Sequence, residues 1–269
     1  MKKIVTLKQS LLMNSSSISK LGDTIDTKHG PLTFIDNGAD VLAVCHRDTV
    51  KWNRKPHIGK RWIKNCPQLD DRLGMYCLLN FLPKIGCPKF DVLITDSEEI
   101  GCSTAQFFNA PKDYRYMFEI DRNGSDAVFY DYHNPLFECF ISEQWDIGRG
   151  SFTDICYLDH LGIAGVNFGT GYFNAHFDDC YADLKITRDV CNRWATMMTR
   201  LEGVTFDNQP KHHIEKEWDL DWKDYDDGKS DQWFTNCQSC GEWTEDDWNY
   251  CPFCGDGLYS KFVGDQMVY

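Results

Sequence analysis

Asp40-Val-Leu-Ala-Val-Cys45-His46-Arg-Asp48 runs five apolar residues straight into a histidine and an aspartate. A short apolar run with no polar alternation is the pattern of a strand buried on both faces, as in a parallel sheet. The pattern recurs at Phe90-Asp-Val-Leu-Ile-Thr95, Tyr116-Met-Phe-Glu-Ile120 and Ile163-Ala-Gly-Val-Asn-Phe168. Between the first two, Leu73, Tyr76, Cys77 and Phe81 fall at helical spacing over Arg72–Phe81, and Asp189–Leu201 reads as a closing helix. Strands alternating with helices predict an α/β fold, a mostly parallel central sheet flanked by helices. In such sheets the functional residues gather in loops at the carboxyl ends of the strands.

The residues at those ends are polar in a consistent way. His46-Arg-Asp48 comes after the first strand, Asp96-Ser-Glu98-Glu99-Ile-Gly101 after the second, Asp121 after the third, and Gly169-Thr-Gly171 with His176 after the fourth. Leu69-Asp70-Asp71-Arg72-Leu-Gly74 stands just before the first predicted helix. Each alone is ordinary: His-x-Asp arises by chance, a Glu-Glu pair suits a solvated helix surface, and an Asp-Asp pair can cap a helix. Five such groups in order, each at a strand end or opening a helix, point to one site. Imidazoles and carboxylates together are donors that suit zinc.

The ordered set His-x-Asp, Asp-Asp, Glu-Glu, Asp, His resembles the co-catalytic zinc peptidases, a superfamily that includes compact zinc aminopeptidases, peptidase T, and the acylases and desuccinylases. The resemblance spans roughly residues 40 to 185. Asp-Asp-Arg-x-Gly is most similar to an aminopeptidase branch, and Gly169-x-Gly171 ahead of His176 to the acylase and peptidase T side. It implies that Asp70 bridges two zinc ions, with Glu99 and His176 completing one and His46 and Asp121 the other. Manganese or cobalt could stand in for zinc. It further implies a cis peptide between Asp70 and Asp71, Asp48 behind His46 as its hydrogen-bond partner, and Glu98 as general base. The chemistry suits these residue types: two ions about 3.5 Å apart activate a shared water and polarise a carbonyl, and a carboxylate within about 3 Å moves the proton.

Acylase-type relatives insert a further domain between the Asp and the last His. Here about 55 residues separate Asp121 from His176, so a compact, single-domain catalyst is expected. By the same resemblance, Asp at position 121 and the missing insertion both imply an aminopeptidase acting on peptides or small aminoacyl compounds. An amidase or deacylase on a small modified metabolite, an acyl-amine, would use the same metals. A catalytically silent adaptor is a third reading, opposed by the complete ligand set. Asp154 in Ser151-Phe-Thr-Asp154 reads either as a contact to the substrate amine or as a helix cap. Gly169 and Gly171 are candidate substrate-binding positions.

The catalytic domain is expected over residues 1–205, an acidic linker over 206–232 and a small domain over 233–269. That last domain holds Cys237-Gln-Ser-Cys240 and Cys251-Pro-Phe-Cys254, two Cys-x-x-Cys knuckles with ten residues between them. The spacing fits a zinc ribbon with one structural zinc. Between the knuckles stand Glu242, Glu245, Asp246 and Asp247. Its aromatic residues either form the ribbon's own core or face a protein partner. The other nine of the thirteen cysteines are scattered and read as small buried thiols. A net charge of -13 argues against nucleic acid. With no apolar run near the roughly 20 residues of a membrane helix and no export signal, a cytoplasmic protein with no membrane partner is expected. At 42% hydrophobic and 14% aromatic, the composition is that of a globular chain.

Overall fold

The computed structural model describes residues 5–209, with residues 234–236 and 243–245. The chain divides into two compact units, Met1–His212 and His213–Tyr269.

The first unit opens with α1 (Leu7–Leu12) and α2 (Ser15–Ile18), then the hairpin β1 (Asp23–Thr27) and β2 (Gly30–Ile35). Next come β3 (Leu42–His46), β4 (His57–Ile58) and β5 (Trp62–Lys64). Helix α3 (Leu69–Tyr76) continues through a π-helical turn, Cys77–Phe81, into α4 (Leu82–Lys84). The unit is completed by β6 (Asp91–Thr95), β7 (Met117–Asn123), β8 (Ala127–Val128), α5 (Pro135–Ser142), β9 (Gly165–Phe173), β10 (Tyr181–Asp183) and α6 (Leu184–Arg200).

These strands form one mixed sheet in the order β1-β2-β6-β3-β7-β9-β10-β5-β4, with β8 beside β9. Its centre, β6-β3-β7-β9, is parallel throughout, while antiparallel pairs extend it on both sides. The four central strands are the four apolar runs of the sequence. Every residue of β3 and β6 is buried, which is why those runs show no alternation.

Their side chains still divide by the period of two. Ala43, Cys45, Val92, Ile94 and Phe118 join one apolar cluster with residues of α3, α5 and α6. Leu42, Val44, Leu93 and Met117 join another, covered by turns that carry Ala105, Ile155 and Leu158. Trp194 anchors α6, its ring 4.7 Å from Phe168 and 4.9 Å from Phe118. The helix starts earlier than its apolar spacing predicts because the Asp183 carboxylate caps it, accepting from the Lys185 N–H.

Between β7 and β9 lie β8, α5 and two short 3₁₀ turns, Asp154–Tyr157 and Asp159–Leu161, with no inserted domain. The expectation of buried thiols needs correction. Cys45, Cys66, Cys77, Cys180 and Cys191 are buried, but Cys87, Cys102 and Cys156 are half-buried and Cys139 is exposed. Among the described residues no helix is long and apolar enough to cross a membrane.

In the second unit β11 (Phe234–Asn236) pairs antiparallel with β12 (Trp243–Glu245), Phe234 opposite Glu245. Cys237, Cys240, Cys251 and Cys254 lie outside the described residues, as does most of the acidic stretch before them.

Candidate metal centre

Parallel strands end on the same side. In register, His46 stands beside Thr95 and Val44 beside Glu119, so the segments leaving β3, β6 and β7 emerge along one edge. Two triads form there. His46 Nε2 lies 3.1 Å from Asp70 Oδ1 and 3.4 Å from Asp121 Oδ2. His176 Nε2 lies 3.3 Å from Asp70 Oδ2 and 2.9 Å from Glu99 Oε2. Within each triad the donor atoms are all within 4.8 Å of one another. Asp70 belongs to both, one oxygen to each.

Local structure fixes each donor. The Asp70–Asp71 peptide is cis. Buried Asp71 accepts the Gly74 N–H at 3.0 Å. A Cβ on Gly74 would overlap both Asp71 Oδ1 and the Ile120 carbonyl, which explains the glycine of Asp-Asp-Arg-x-Gly. Glu98 and Glu99 occupy one 3₁₀ turn, Glu98–Ile100, flanked by Ser97 and Gly101 at positive φ. His176 has φ 66° and a side chain 51% exposed.

Asp48 ties two of these pieces together. Its main-chain oxygen is 3.1 Å from His46 Nδ1. A carbonyl only accepts, so Nδ1 carries a hydrogen, and it is Nε2 that would give up its proton to turn a lone pair on a metal ion. The Asp48 carboxylate is 3.4 Å from the same Nδ1, and it accepts the Glu98 and Glu99 N–H groups at 3.3 and 3.1 Å. Glu98 stands outside both triads, with Oε2 3.9 Å from His46 Nε2.

Burial sets the electrostatics. It pushes the Glu98 carboxyl up to about 9, Asp121 to about 8 and Asp154 to about 6. Burial also drives Asp71 and Glu119 well above the carboxylate range. Asp70 feels the same burial, but hydrogen bonds from His176 and His46 outweigh it and hold its carboxyl below that range. His46 is raised well above a free imidazole because Asp121, Asp48 and Asp70 overcome its burial. Hydrogen bonds to Asp70 and Glu99 lift His176 to about 10.

The cluster thus has more carboxyls than nearby cations, and it balances them by holding protons. Divalent ions would supply the same positive charge. Two further features fit such ions. Among the described residues, Glu99 Oε1 and Asp71 Oδ2 are buried without a hydrogen-bond partner. Each triad also offers one imidazole and two carboxylates, a donor set suited to zinc, manganese or cobalt.

The other expected positions have local structural partners of their own. Asp154 is fully buried; Oδ2 accepts the Thr95 hydroxyl at 2.8 Å and Oδ1 the Ser103 hydroxyl. It does not cap its 3₁₀ turn, where Thr153 holds that position. Gly169 and Gly171 each have a packing reason to lack a side chain. A Cβ on Gly169 would enter the Gly124–Ser125 backbone, and Gly171, at φ 86°, backs onto Ile186.

Sequence reasoning passed over two buried residues near Asp121. Asn167 accepts the Asp121 N–H at 2.9 Å and donates to its carbonyl at 3.1 Å. Glu119 accepts the Thr153 hydroxyl at 2.6 Å and the Ile155 N–H at 3.2 Å. Strand alternation could have found Glu119, two residues before Asp121 on the same face.

No family model and no curated protein matches the chain. Its structure is similar to solved ones. One is a tripeptidase from Staphylococcus aureus, with TM-score 0.56 and 12% identity over 73% of this chain and 96% of that one. Another is aminopeptidase PepT from Bacillus cereus, with TM-score 0.52 and 10% identity over 71% and 96%. A third, PhTET1-12s, is described as a dodecamer and has TM-score 0.50 and 13% identity over 73% and 99%. The class defined by this likeness is a fold: an α/β fold shared with tripeptidases and aminopeptidases. Within that fold, this chain carries two His/carboxylate clusters that could each hold a metal ion and that share Asp70.

Proposed function

We propose that the protein is a metal-dependent aminopeptidase whose two divalent ions are held by His46, Asp70 and Asp121 and by Asp70, Glu99 and His176. The observation that carries this reading is Asp70, whose two oxygens reach two separate imidazoles. Bound there, the ions would supply Lewis acidity to an attacking water and to the scissile carbonyl.

The chain's own groups do the rest. Glu98 takes the water proton on its carboxylate and passes it to the leaving amine. Its high pKa in the metal-free protein would fall beside bound cations, so the base is ionised when loaded. Asp48 fixes the His46 tautomer and, through the Glu98 and Glu99 N–H groups, the distance from imidazole to base. Val50, Ile100 and Phe177 are 52%, 73% and 60% exposed, and each sits one or two residues from a proposed site residue. Each would offer apolar surface to the side chain of the first substrate residue. The ribbon would take a third, structural zinc on Cys237, Cys240, Cys251 and Cys254.

Elemental mass spectrometry on protein purified without chelator tests the metal count, with about three zinc ions per chain expected. About one ion, unchanged after zinc, manganese or cobalt is added back, would remove the reading. A peptide with a free amino terminus should be cleaved and its acetylated form refused. The reverse preference would make the protein a deacylase.

A further inference from the structure

The most cationic stretch of this acidic chain lies between two of its proposed site residues. Residues 49–64, Thr-Val-Lys-Trp-Asn-Arg-Lys-Pro-His-Ile-Gly-Lys-Arg-Trp-Ile-Lys, hold six Lys or Arg and no Asp or Glu. They leave from Asp48 and end shortly before Asp70. The whole-chain charge of -13 conceals them.

The stretch is pinned against the site. Gln68 Nε2 donates to the Asn53 carbonyl at 2.7 Å, and its Oε1 accepts the Asn53 N–H at 3.1 Å. The guanidinium of buried Arg72 lies 5.4 Å from the Trp52 ring centre. Lys51 Nζ is 3.4 Å from Asp178 Oδ1, two residues beyond His176. Ile63 pairs with Ala182 on β10, and the Cys66 N–H donates to the Cys180 carbonyl at 2.9 Å.

Two of the six cations are spent inside the protein, Lys51 on Asp178 and Arg61 on Asp183 at 2.8 Å. Arg54, Lys55, Lys60 and Lys64 are exposed and form no ion pair among the described residues. They flank β4, which ends the sheet among the described residues, and a strand in that position can pair with an extended chain.

We propose that this edge selects peptides with acidic side chains several residues downstream of the cleaved bond. The inference rests on the aminopeptidase reading for the direction of the peptide, but not for the binding itself. Tyr172, whose hydroxyl is 3.5 Å from Asp121 Oδ1, lies on β9. From β9 to β4 is three strand spacings, about 14 Å, or about four residues of extended chain. Carboxylates at the fourth to sixth positions of a substrate would therefore meet the cations, and a tripeptide would fall short. A peptide fits better than a nucleic acid because the open partner is a strand edge. In addition, one neighbour already lies against each exposed indole, Arg72 against Trp52 and Arg61 against Trp62.

The test is fluorescence anisotropy with the full-length, metal-loaded protein and two labelled leucyl octapeptides. One has glutamate at positions four to six, the other glutamine, and both have the first peptide bond reduced to a methylene-amine so that neither is cleaved. The acidic peptide should bind about tenfold more tightly at about 20 mM salt and lose that advantage at about 300 mM. Combining Arg54→Gln, Lys55→Gln, Lys60→Gln and Lys64→Gln should erase the preference without moving the unfolding midpoint. Equal affinities, or a preference that survives the four substitutions, would overturn the proposal. So would a single-stranded oligonucleotide that outcompetes the acidic peptide for these residues. Cleavage of the unreduced peptides, measured in parallel, separates the two claims. Acidic preference without cleavage sinks the aminopeptidase reading alone, and equal binding with cleavage sinks only this one.

Discussion

His46 ends a fully buried strand, with no side-chain surface exposed, while His176 sits on the loop between β9 and β10 with half of its side chain in solvent. Asp70 reaches both through opposite oxygens. Around His46 one partner, Asp121, is on β7 and the other, Asp70, opens α3, and Asp48, Asn167 and the Asp71–Gly74 contact brace that half. Around His176 the geometry depends on a positive-φ residue and on a single 3₁₀ turn. Two triads of the same composition therefore need not hold an ion equally well. The strand-mounted one is preorganised, and the loop-mounted one should exchange its ion faster.

Asp70→Ala strikes both halves and should have the largest effect. By elemental mass spectrometry the count should fall from about three ions per chain to about one, that of the ribbon, and turnover to that of a blank, whereas a count of about two would mean the halves are independent. Glu98→Gln touches neither triad; it should lower kcat about 10²–10⁴-fold with the metal content unchanged. Lost metal in that variant would place Glu98 among the ligands. Gly74→Ala falls on the buried half alone, forcing a methyl against Asp71 and Ile120. Denaturant titration should show a loss of about 1–3 kcal/mol, and no loss would show that the half can relax.

The smallest effect expected is one of pH. In the metal-free protein the Glu98 and Asp121 carboxyls are raised to about 9 and about 8, and His176 to about 10. The unfolded chain releases these protons sooner in every case, so stability falls as pH rises from about 5 to about 9. Burial dominates the first two and the Asp70 and Glu99 hydrogen bonds the third. Chelator-treated protein should therefore lose Tm over that range, while the loaded form, whose ions have displaced the protons, should stay level. Parallel curves would show that the cluster's protons are not exchanged for metal.

Much of the fold and of the site was legible because parallel strands leave an unmistakable trace. His46, Asp96–Glu99 and Asp121 each come after an apolar run, and one topology puts such run ends together. The two antiparallel wings were not legible. β1 is mostly exposed along its length, and β4 and β10 have two and three residues, too short for any period to register. Asp154 and Gly171 stand in suggestive contexts, but only the packed structure shows two hydroxyls on the one and Ile186 behind the other. The cations of residues 49–64 were in plain view and were averaged away by the whole-chain charge.

The proposed ligands are drawn from stretches scattered from His46 to His176, and that spread bears on how the molecule is born. A nascent chain presents His46 and Asp70 long before it has made the residue that completes the second triad. His176 leaves from the end of β9, whose parallel pairing with β7 spans a long stretch of intervening sequence and so belongs among the slower contacts to form. Capture of a second ion would thus come late in maturation, after the central strands are joined. A half-made or truncated molecule that reaches Asp121 but not His176 would carry one complete pocket and no means of doing chemistry with it. On the proposed reading, such a chain would stay inert until His176 is in place.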